Sequence, residues 1–202
     1  MILIDGKILK SEETHKALTY MKAAIIRTLQ KPVLNPYIVV EACDKLAQAI
    51  TEGKYNKLIE ELKSQHNISP NQISSVIQMF TKDSLLYKLE VELGAGYCEE
   101  MKWSPLNSYK IRKKKHFPLG VLFHIAAGNV DGLPAYSVIE GLLVGNINIL
   151  KLPQADNGLS IKLLSELIRI EPKLSEYIYV FDTPSYDLKA LRKMAALADG
   201  IV

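Results

Sequence analysis

Residues 118–129 read PLGVLFHIAAGN, and residues 145–151 read GNINILK. In each stretch a glycine precedes a short, almost uninterrupted apolar run, at residues 121–126 and 147–151. Such runs are typical of strands that are buried on both faces of a sheet. Between the two runs, Pro134 can begin a helix that ends at the glycine of the second stretch.

The same alternation continues to the end of the sequence. Asp156 or Asn157 can cap a further helix, which is followed by a strand at residues 177–181, a helix at residues 187–197 and the start of a strand at residues 200–202. Strands and helices that alternate at this spacing predict a parallel sheet with right-handed crossovers. Because the sequence stops within the fourth predicted strand, we expect it to be a fragment of a longer protein.

The first half of the chain has a different pattern, in which apolar residues recur at helical spacing. Leu18, Met21 and Ile25 fall on one helical face, and Asn35 followed by Pro36 predicts the capped start of a second helix. The fold class is therefore predicted to be α/β. We expect a helical N-terminal region at residues 1–107, then part of a Rossmann-like parallel sheet with flanking helices at residues 108–202.

Composition excludes several classes of function. The chain has 202 residues and a formal net charge of +3, and most basic residues alternate with acids, which argues against a nucleic-acid-binding surface. Cys43 and Cys98 form neither a CxxC pair nor a Cys/His cluster, so no metal site is predicted. No apolar run approaches the roughly 20 residues that span a bilayer, and the first ten residues make a poor signal peptide. The sequence therefore predicts a cytoplasmic protein.

Beyond this pattern, the two opening stretches resemble aldehyde dehydrogenases, which carry a P-L-G-V strand leading to an asparagine and later G-N before a strand that ends in lysine. The segments GNV at residues 128–130, PAYS at residues 134–137 and ADGIV at residues 198–202 are closer to the acyl-CoA reductase (LuxC) family within that superfamily. The resemblance covers about residues 108–202 and implies the front part of a nucleotide-binding domain, without the catalytic domain.

Asn129 matches the superfamily asparagine whose side-chain amide donates a hydrogen bond to the oxyanion that forms when a cysteine attacks the acyl carbon. A fixed neutral donor at the end of a buried strand can stabilise developing negative charge without rearranging. The alternative from composition alone is an ordinary turn, because Asn, Asp and Gly dominate turns and residues 128–132 read GNVDG.

Lys151 matches the superfamily lysine that hydrogen-bonds the adenosine ribose, although an isolated lysine that ends a strand would more often be a solvated surface residue. The resemblance also implies a cofactor role for Gln154, where NAD-preferring members often carry glutamate, and for Pro153, which shapes the turn. Since glutamine removes the repulsion between a carboxylate and a 2′-phosphate, NADPH is the predicted cofactor.

Other residues receive structural interpretations. His124 is predicted to be a hydrogen-bonded core histidine, and Cys43 a packed core residue. Cys98 is flanked by acids, which raise a thiol pKa, and it precedes the nucleotide-binding strands, so it does not match the family nucleophile. The basic run at residues 110–115 predicts an exposed edge strand, with binding of coenzyme A phosphates as the alternative.

The resemblance implies that the parent protein reduces an acyl-CoA thioester, for example a fatty acyl-CoA, to an aldehyde with NADPH through a cysteine acyl-enzyme. On this hypothesis the 202 residues alone are inactive, and the parent protein forms a homo-oligomer or a complex with acyl-transfer partners. One alternative is another superfamily branch, such as a CoA-acylating aldehyde dehydrogenase or an acyl-phosphate reductase. Another is a non-catalytic binding domain.

Overall fold

The computed structural model describes residues 1–57, 59–60, 70–97, 101–103, 112–127, 132–154, 156 and 158–202. Its mixture of helices and sheet confirms the predicted α/β class. The strands are β1 (Ile2–Ile4), β2 (Lys7–Leu9), β3 (Met101–Trp103), β4 (Arg112–Lys114), β5 (Val121–Ile125), β6 (Ile147–Lys151), β7 (Ile178–Phe181) and β8 (Gly200–Ile201). The helices are α1 (Thr14–Leu29), α2 (Pro36–Thr51), α3 (Pro70–Met79), α4 (Lys82–Leu93), α5 (Leu133–Leu143), α6 (Leu159–Ile170) and α7 (Leu188–Ala195).

Six strands form one mixed sheet in the order β2-β1-β7-β6-β5-β8. The four strands β5 to β8 are parallel, as the sequence predicts. From β5 the sheet grows through β6 to β7, and the chain then returns so that β8 pairs with the opposite side of β5. In open α/β sheets such a reversal opens a crevice at the carboxyl ends of the strands, and ligands bind there.

Helices cover both faces of the parallel strands. Because right-handed crossovers that proceed in one direction place their helices on one face, α5 and α6 share a face, and α7, which crosses back, lies on the other. Helix α2 packs over α5 and α6 as an outer layer, and α1 packs against α7. Strand β6 is buried along its whole length and β5 along all but its last residue, Ile125, which agrees with the two-sided burial predicted for these two strands, and β7 is fully buried as well.

Helix α2 begins at Pro36, where the sequence predicts. The Asn35 side chain accepts a hydrogen bond from the Tyr37 backbone N–H at 2.9 Å, which caps α2. Gly53, with a φ of +81°, follows the end of that helix, in a conformation that suits glycine. Within the described part of the chain, no helix combines the length and the apolar character that crossing a bilayer requires.

A hairpin at the N-terminus was not among the predicted elements. Ile4 of β1 pairs with Lys7 of β2, so Asp5 and Gly6 form a two-residue loop, and their φ angles of 50° and 71° are those of a type I′ turn. Strand β1 then pairs antiparallel with β7, joining the first residues of the chain to the sheet. The division into regions 1–107 and 108–202 stays a prediction, with the hairpin as an added link between the two.

Candidate functional site

The predicted site residues follow strands that end together at one edge of the sheet. Lys151, the last residue of β6, pairs in register with Ile125 at the end of β5 and with Phe181 at the end of β7. Asn129 lies four residues beyond Ile125 along the chain, outside the described residues. Its predicted oxyanion role therefore stays a prediction, and the strand that leads to it is where the sequence analysis expected it.

Lys151 is a buried cation with one polar contact. It is only 6% exposed, and its Nζ donates a hydrogen bond to the Ser185 hydroxyl at 3.1 Å. Among the described residues no carboxylate lies within ion-pairing distance of this ammonium, whereas other lysines of the chain, such as Lys31 and Lys88, form ion pairs with glutamates. Since a buried charge is costly without a counter-charge, the arrangement favours an anionic or polar ligand.

A cavity of about 290 Å³ opens at the carboxyl ends of β6 and β7. Pro153 and Gln154, both predicted to contact cofactor, line one wall together with Asp156. Asp182 and Thr183, which directly follow β7, line another. Lys151 is not among the lining residues, so the structure brings two of the predicted cofactor residues to the cavity and leaves the third beside the Ser185 hydroxyl.

The carboxylate of Asp156, just before α6, forms hydrogen bonds within the protein. Asp156 accepts hydrogen bonds from the backbone N–H of Ser160 at 3.3 Å and from the Ser160 hydroxyl. The N-cap residue of α6 is Gly158, not Asp156 or Asn157 as predicted, but Asp156 lies two residues earlier and places a negative charge at the helix N-terminus, where the helix dipole favours anions. Because this carboxylate already holds the position, the first turn of α6 is less suited to a ligand phosphate.

Asp182, Thr183 and Ser185 were not identified from the sequence. A usable signal was present, because these polar residues follow the carboxyl end of a buried strand, and Lys151 likewise lies at the carboxyl end of one. Residues 182–185 read DTPS, however, and that composition is equally typical of a turn. In the structure, two of these residues stand out, because Asp182 Oδ1 and Thr183 Oγ1 are buried and have no hydrogen-bond partner in the part of the chain that the structure describes.

His124 belongs to the core, as predicted. It is 2% exposed, its Nδ1 lies 2.8 Å from the Ser137 hydroxyl, and its Nε2 lies 3.0 Å from Asn148 Oδ1. Because Asn148 donates its own amide N–H to the Asn146 carbonyl, its oxygen is the atom that faces His124, and Nε2 carries the proton. A Cβ at Gly141 would overlap Asn148 Oδ1, so only glycine lets α5 approach this network.

We expect this network to make stability depend on pH. Burial lowers the pKa of His124 despite the opposing effect of its hydrogen bond to Asn148, so the unfolded chain takes up a proton at a higher pH than the folded one. The free energy of unfolding should fall as pH drops below the unfolded value of about 6.5, by at most about 1.4 kcal/mol per pH unit. Urea denaturation of the wild type and of His124→Gln between pH 5 and 8 measures this pH dependence. If the free energy of unfolding changed equally with pH in both proteins, His124 would not be its cause.

The structure describes only part of the two cysteine sites and of the basic run at residues 110–115. Cys43 is fully buried on α2, and burial raises the pKa of its thiol far above the usual range, which confirms a packing role. Cys98 lies outside the described residues. Of the basic run, Arg112–Lys114 forms strand β4, paired antiparallel with β3 in a separate two-stranded sheet, and residues 110–111 lie outside the described residues.

Comparison with known proteins gives one family and one fold. The family model described as acyl-CoA reductase (LuxC) matches residues 33–202. Among curated proteins, none matches the chain. Two similar solved structures are glyceraldehyde-3-phosphate dehydrogenase GapN from Methanocaldococcus jannaschii complexed with NADP, and an NAD-dependent benzaldehyde dehydrogenase from Corynebacterium glutamicum.

Both structural matches are distant in sequence. The TM-scores are 0.55 and 0.54, with 15% identity in each case. The first match covers 87% of this chain and 37% of the other, and the second covers 94% of this chain and 42% of the other. At this identity the likeness shows the aldehyde dehydrogenase fold alone, and the chain spans about two fifths of the length of these enzymes.

Proposed function

Because the chain belongs to the acyl-CoA reductase (LuxC) family, we propose that it is the nucleotide-binding part of an enzyme that reduces an acyl-CoA thioester, such as a fatty acyl-CoA, to an aldehyde with NADPH. The observation that carries the proposal is the family match over residues 33–202, which includes every proposed site residue. The cavity beyond β6 and β7, together with the buried Lys151 at the end of β6, which has no acidic partner among the described residues, supports a polar or anionic ligand at that edge of the sheet.

The residues at this edge fit the adenosine end of the cofactor. Lys151 supplies an ammonium without an acidic partner among the described residues, Gln154 supplies a neutral amide, and Pro153 shapes the chain between them. A neutral residue at Gln154 does not repel a 2′-phosphate, which favours NADPH over NADH. Bound NADPH would supply the hydride that reduces the acyl carbon.

Asn129 has a separate role in the proposal. Attack of a cysteine thiolate on the thioester carbonyl forms a tetrahedral oxyanion, and loss of the coenzyme A thiolate then leaves an acyl-enzyme. The Asn129 amide donates a hydrogen bond to that oxyanion and to the one that forms when hydride reaches the acyl carbon. One acyl-CoA, one NADPH and one proton thus give one aldehyde, free coenzyme A and NADP⁺.

We propose that the nucleophilic cysteine belongs to a part of the enzyme outside these 202 residues. Cys43 cannot act, because it is fully buried and burial strongly raises its thiol pKa. The solved aldehyde dehydrogenases are more than twice as long as this chain, as its coverage of 37% and 42% implies. We also propose a cytoplasmic enzyme that acts as a homo-oligomer or with acyl-transfer partners, in line with a composition that offers no disulfide framework.

Two measurements on the 202-residue chain test the proposal. Fluorescence titration should show that NADPH binds, and binds more tightly than NADH. Acyl-CoA-dependent oxidation of NADPH should be undetectable, because Cys43 is fully buried and Cys98 does not match the family nucleophile. Failure to bind either nucleotide would refute the nucleotide-binding role, and turnover by this chain alone would refute the assignment of the nucleophile to another part of the enzyme.

A further inference from the structure

The turn after β7 carries two buried polar atoms that the protein itself does not satisfy. Thr183 is 3% exposed and lines the cavity beyond β6 and β7, yet its hydroxyl has no hydrogen-bond partner among the described residues. Asp182 lines the same cavity, and its Oδ1 likewise has none. We propose that Thr183 and Asp182 bind the ribose of the nucleotide and determine the choice between NADPH and NADH, an inference that rests on the proposed function.

The energetics of Thr183 support a ligand contact. A buried hydroxyl without a partner destabilises the folded chain, and valine would fill the same space without that cost. Other buried threonines of this chain are satisfied internally. Thr28 donates to the Ala24 carbonyl at 3.2 Å, and Thr14 donates to the Ser11 carbonyl at 2.7 Å. Thr183 departs from that pattern, because its buried hydroxyl has no hydrogen-bond partner among the described residues although the residue lines the proposed nucleotide cavity.

Asp182 has one hydrogen-bonded oxygen, Oδ2, and one buried oxygen, Oδ1, that has no hydrogen-bond partner among the described residues. Its Oδ2 accepts hydrogen bonds from the Ser11 hydroxyl at 2.9 Å and from the N-terminal amine of Met1. The remaining oxygen can accept a hydrogen bond from a ribose hydroxyl, whereas a 2′-phosphate offers no such donor at neutral pH and is repelled. Asp182 and Gln154 therefore act in opposite senses, since the amide tolerates the 2′-phosphate and the carboxylate favours the free hydroxyl.

The first test is Thr183→Val in the 202-residue chain, with isothermal titration of NADPH and NADH and a thermal unfolding scan. Loss of one neutral hydrogen bond should raise the dissociation constant of both nucleotides about 3- to 10-fold. The unfolding temperature without nucleotide should stay the same or rise, because no internal hydrogen bond is lost. Thr28→Val is the matched control, and it should lower the unfolding temperature without changing nucleotide affinity.

The second test is Asp182→Asn. The ratio of the NADH to the NADPH dissociation constant should rise about fivefold, as expected for removal of one charge a few ångströms from a phosphate in water. Asp187→Asn is the control, because Asp187 lies five residues further along and caps α7 through the Ala190 N–H without lining the cavity. Asparagine is an equally good cap, so this change should leave the ratio unaltered.

The outcomes separate this inference from the proposed function. If the wild-type chain binds neither nucleotide, the proposed function fails and the inference falls with it. If the wild type binds and Lys151→Met weakens binding, while Thr183→Val and Asp182→Asn behave like the wild type, only the inference is refuted. A lower unfolding temperature for Thr183→Val, like that of Thr28→Val, would also refute it, because the hydroxyl would then serve the fold.

Discussion

Replacing Lys151 with methionine should weaken NADPH binding about 10- to 100-fold while leaving the free energy of unfolding unchanged or higher. Hydrogen bonds to a charged group contribute about 1.5–3 kcal/mol, and 1.4 kcal/mol is a factor of ten in affinity. Lys151 is only 6% exposed, and among the described residues its ammonium makes one hydrogen bond, to the Ser185 hydroxyl, so the apo protein loses little when the charge is removed. Titration calorimetry and urea denaturation measure the two quantities.

A matched control separates this local effect from a general change in charge. Lys189 is an exposed lysine on α7, and Lys189→Met makes the same chemical change without touching the edge of the sheet. Its nucleotide affinity should equal that of the wild type. If Lys151→Met bound NADPH as tightly as the wild type, or if Lys189→Met weakened binding equally, Lys151 would have no place in the cofactor site.

The same edge of the sheet explains why Lys151 could be predicted and Thr183 could not. Lys151 ends a buried strand and Thr183 follows one. The sequence stretch that ends at Lys151 continues a family motif, whereas the DTPS stretch after β7 matches none. Thr183 is singled out because it lines the cavity and its buried hydroxyl has no hydrogen-bond partner among the described residues. That property depends on the side chains which α6 and the N-terminal residues bring to the same place, and no local pattern records it.

The N-terminal hairpin is a case in which a local signal existed. Asp5-Gly6 between short apolar runs is among the strongest hairpin signals, because both positions of a type I′ turn need a positive φ. Three-residue strands are nevertheless too short to be stable alone. Strand β1 is held by pairing with β7, and Ile2 lies opposite Phe181, a contact across nearly the whole chain that sequence periodicity cannot reveal.

The parallel core was predictable for the opposite reason. Strands β6 and β7 are buried along their whole length, so their sequences are almost continuously apolar and are bounded by glycine or polar residues. The order of the strands has a different origin. The return of β8 to the far side of β5 follows from the crossover through α7 to the opposite face, which the composition of β8 does not encode.

The return of β8 places the carboxyl end of β5, four residues before Asn129, at the point where the strand order reverses. This position supports a prediction about the catalytic effect of changing Asn129. In the complete reductase, Asn129→Ala should lower kcat about 100- to 1000-fold, the usual loss for one oxyanion donor, with little change in the dissociation constant of NADPH. Asn129→Asp keeps the size of the side chain and replaces the donor with a negative charge, so kcat should fall at least as far.

Steady-state kinetics with an acyl-CoA and NADPH, alongside NADPH titration of the same proteins, distinguishes this role from an ordinary turn. An oxyanion donor acts only once charge develops on the substrate oxygen, so kcat should fall while cofactor affinity holds. A residue that merely shapes the GNVDG turn would, when changed, disturb stability and cofactor affinity, and aspartate, which is equally at home in turns, would restore both. Near-normal turnover of Asn129→Asp would therefore assign Asn129 to the turn, because a carboxylate cannot stabilise an oxyanion.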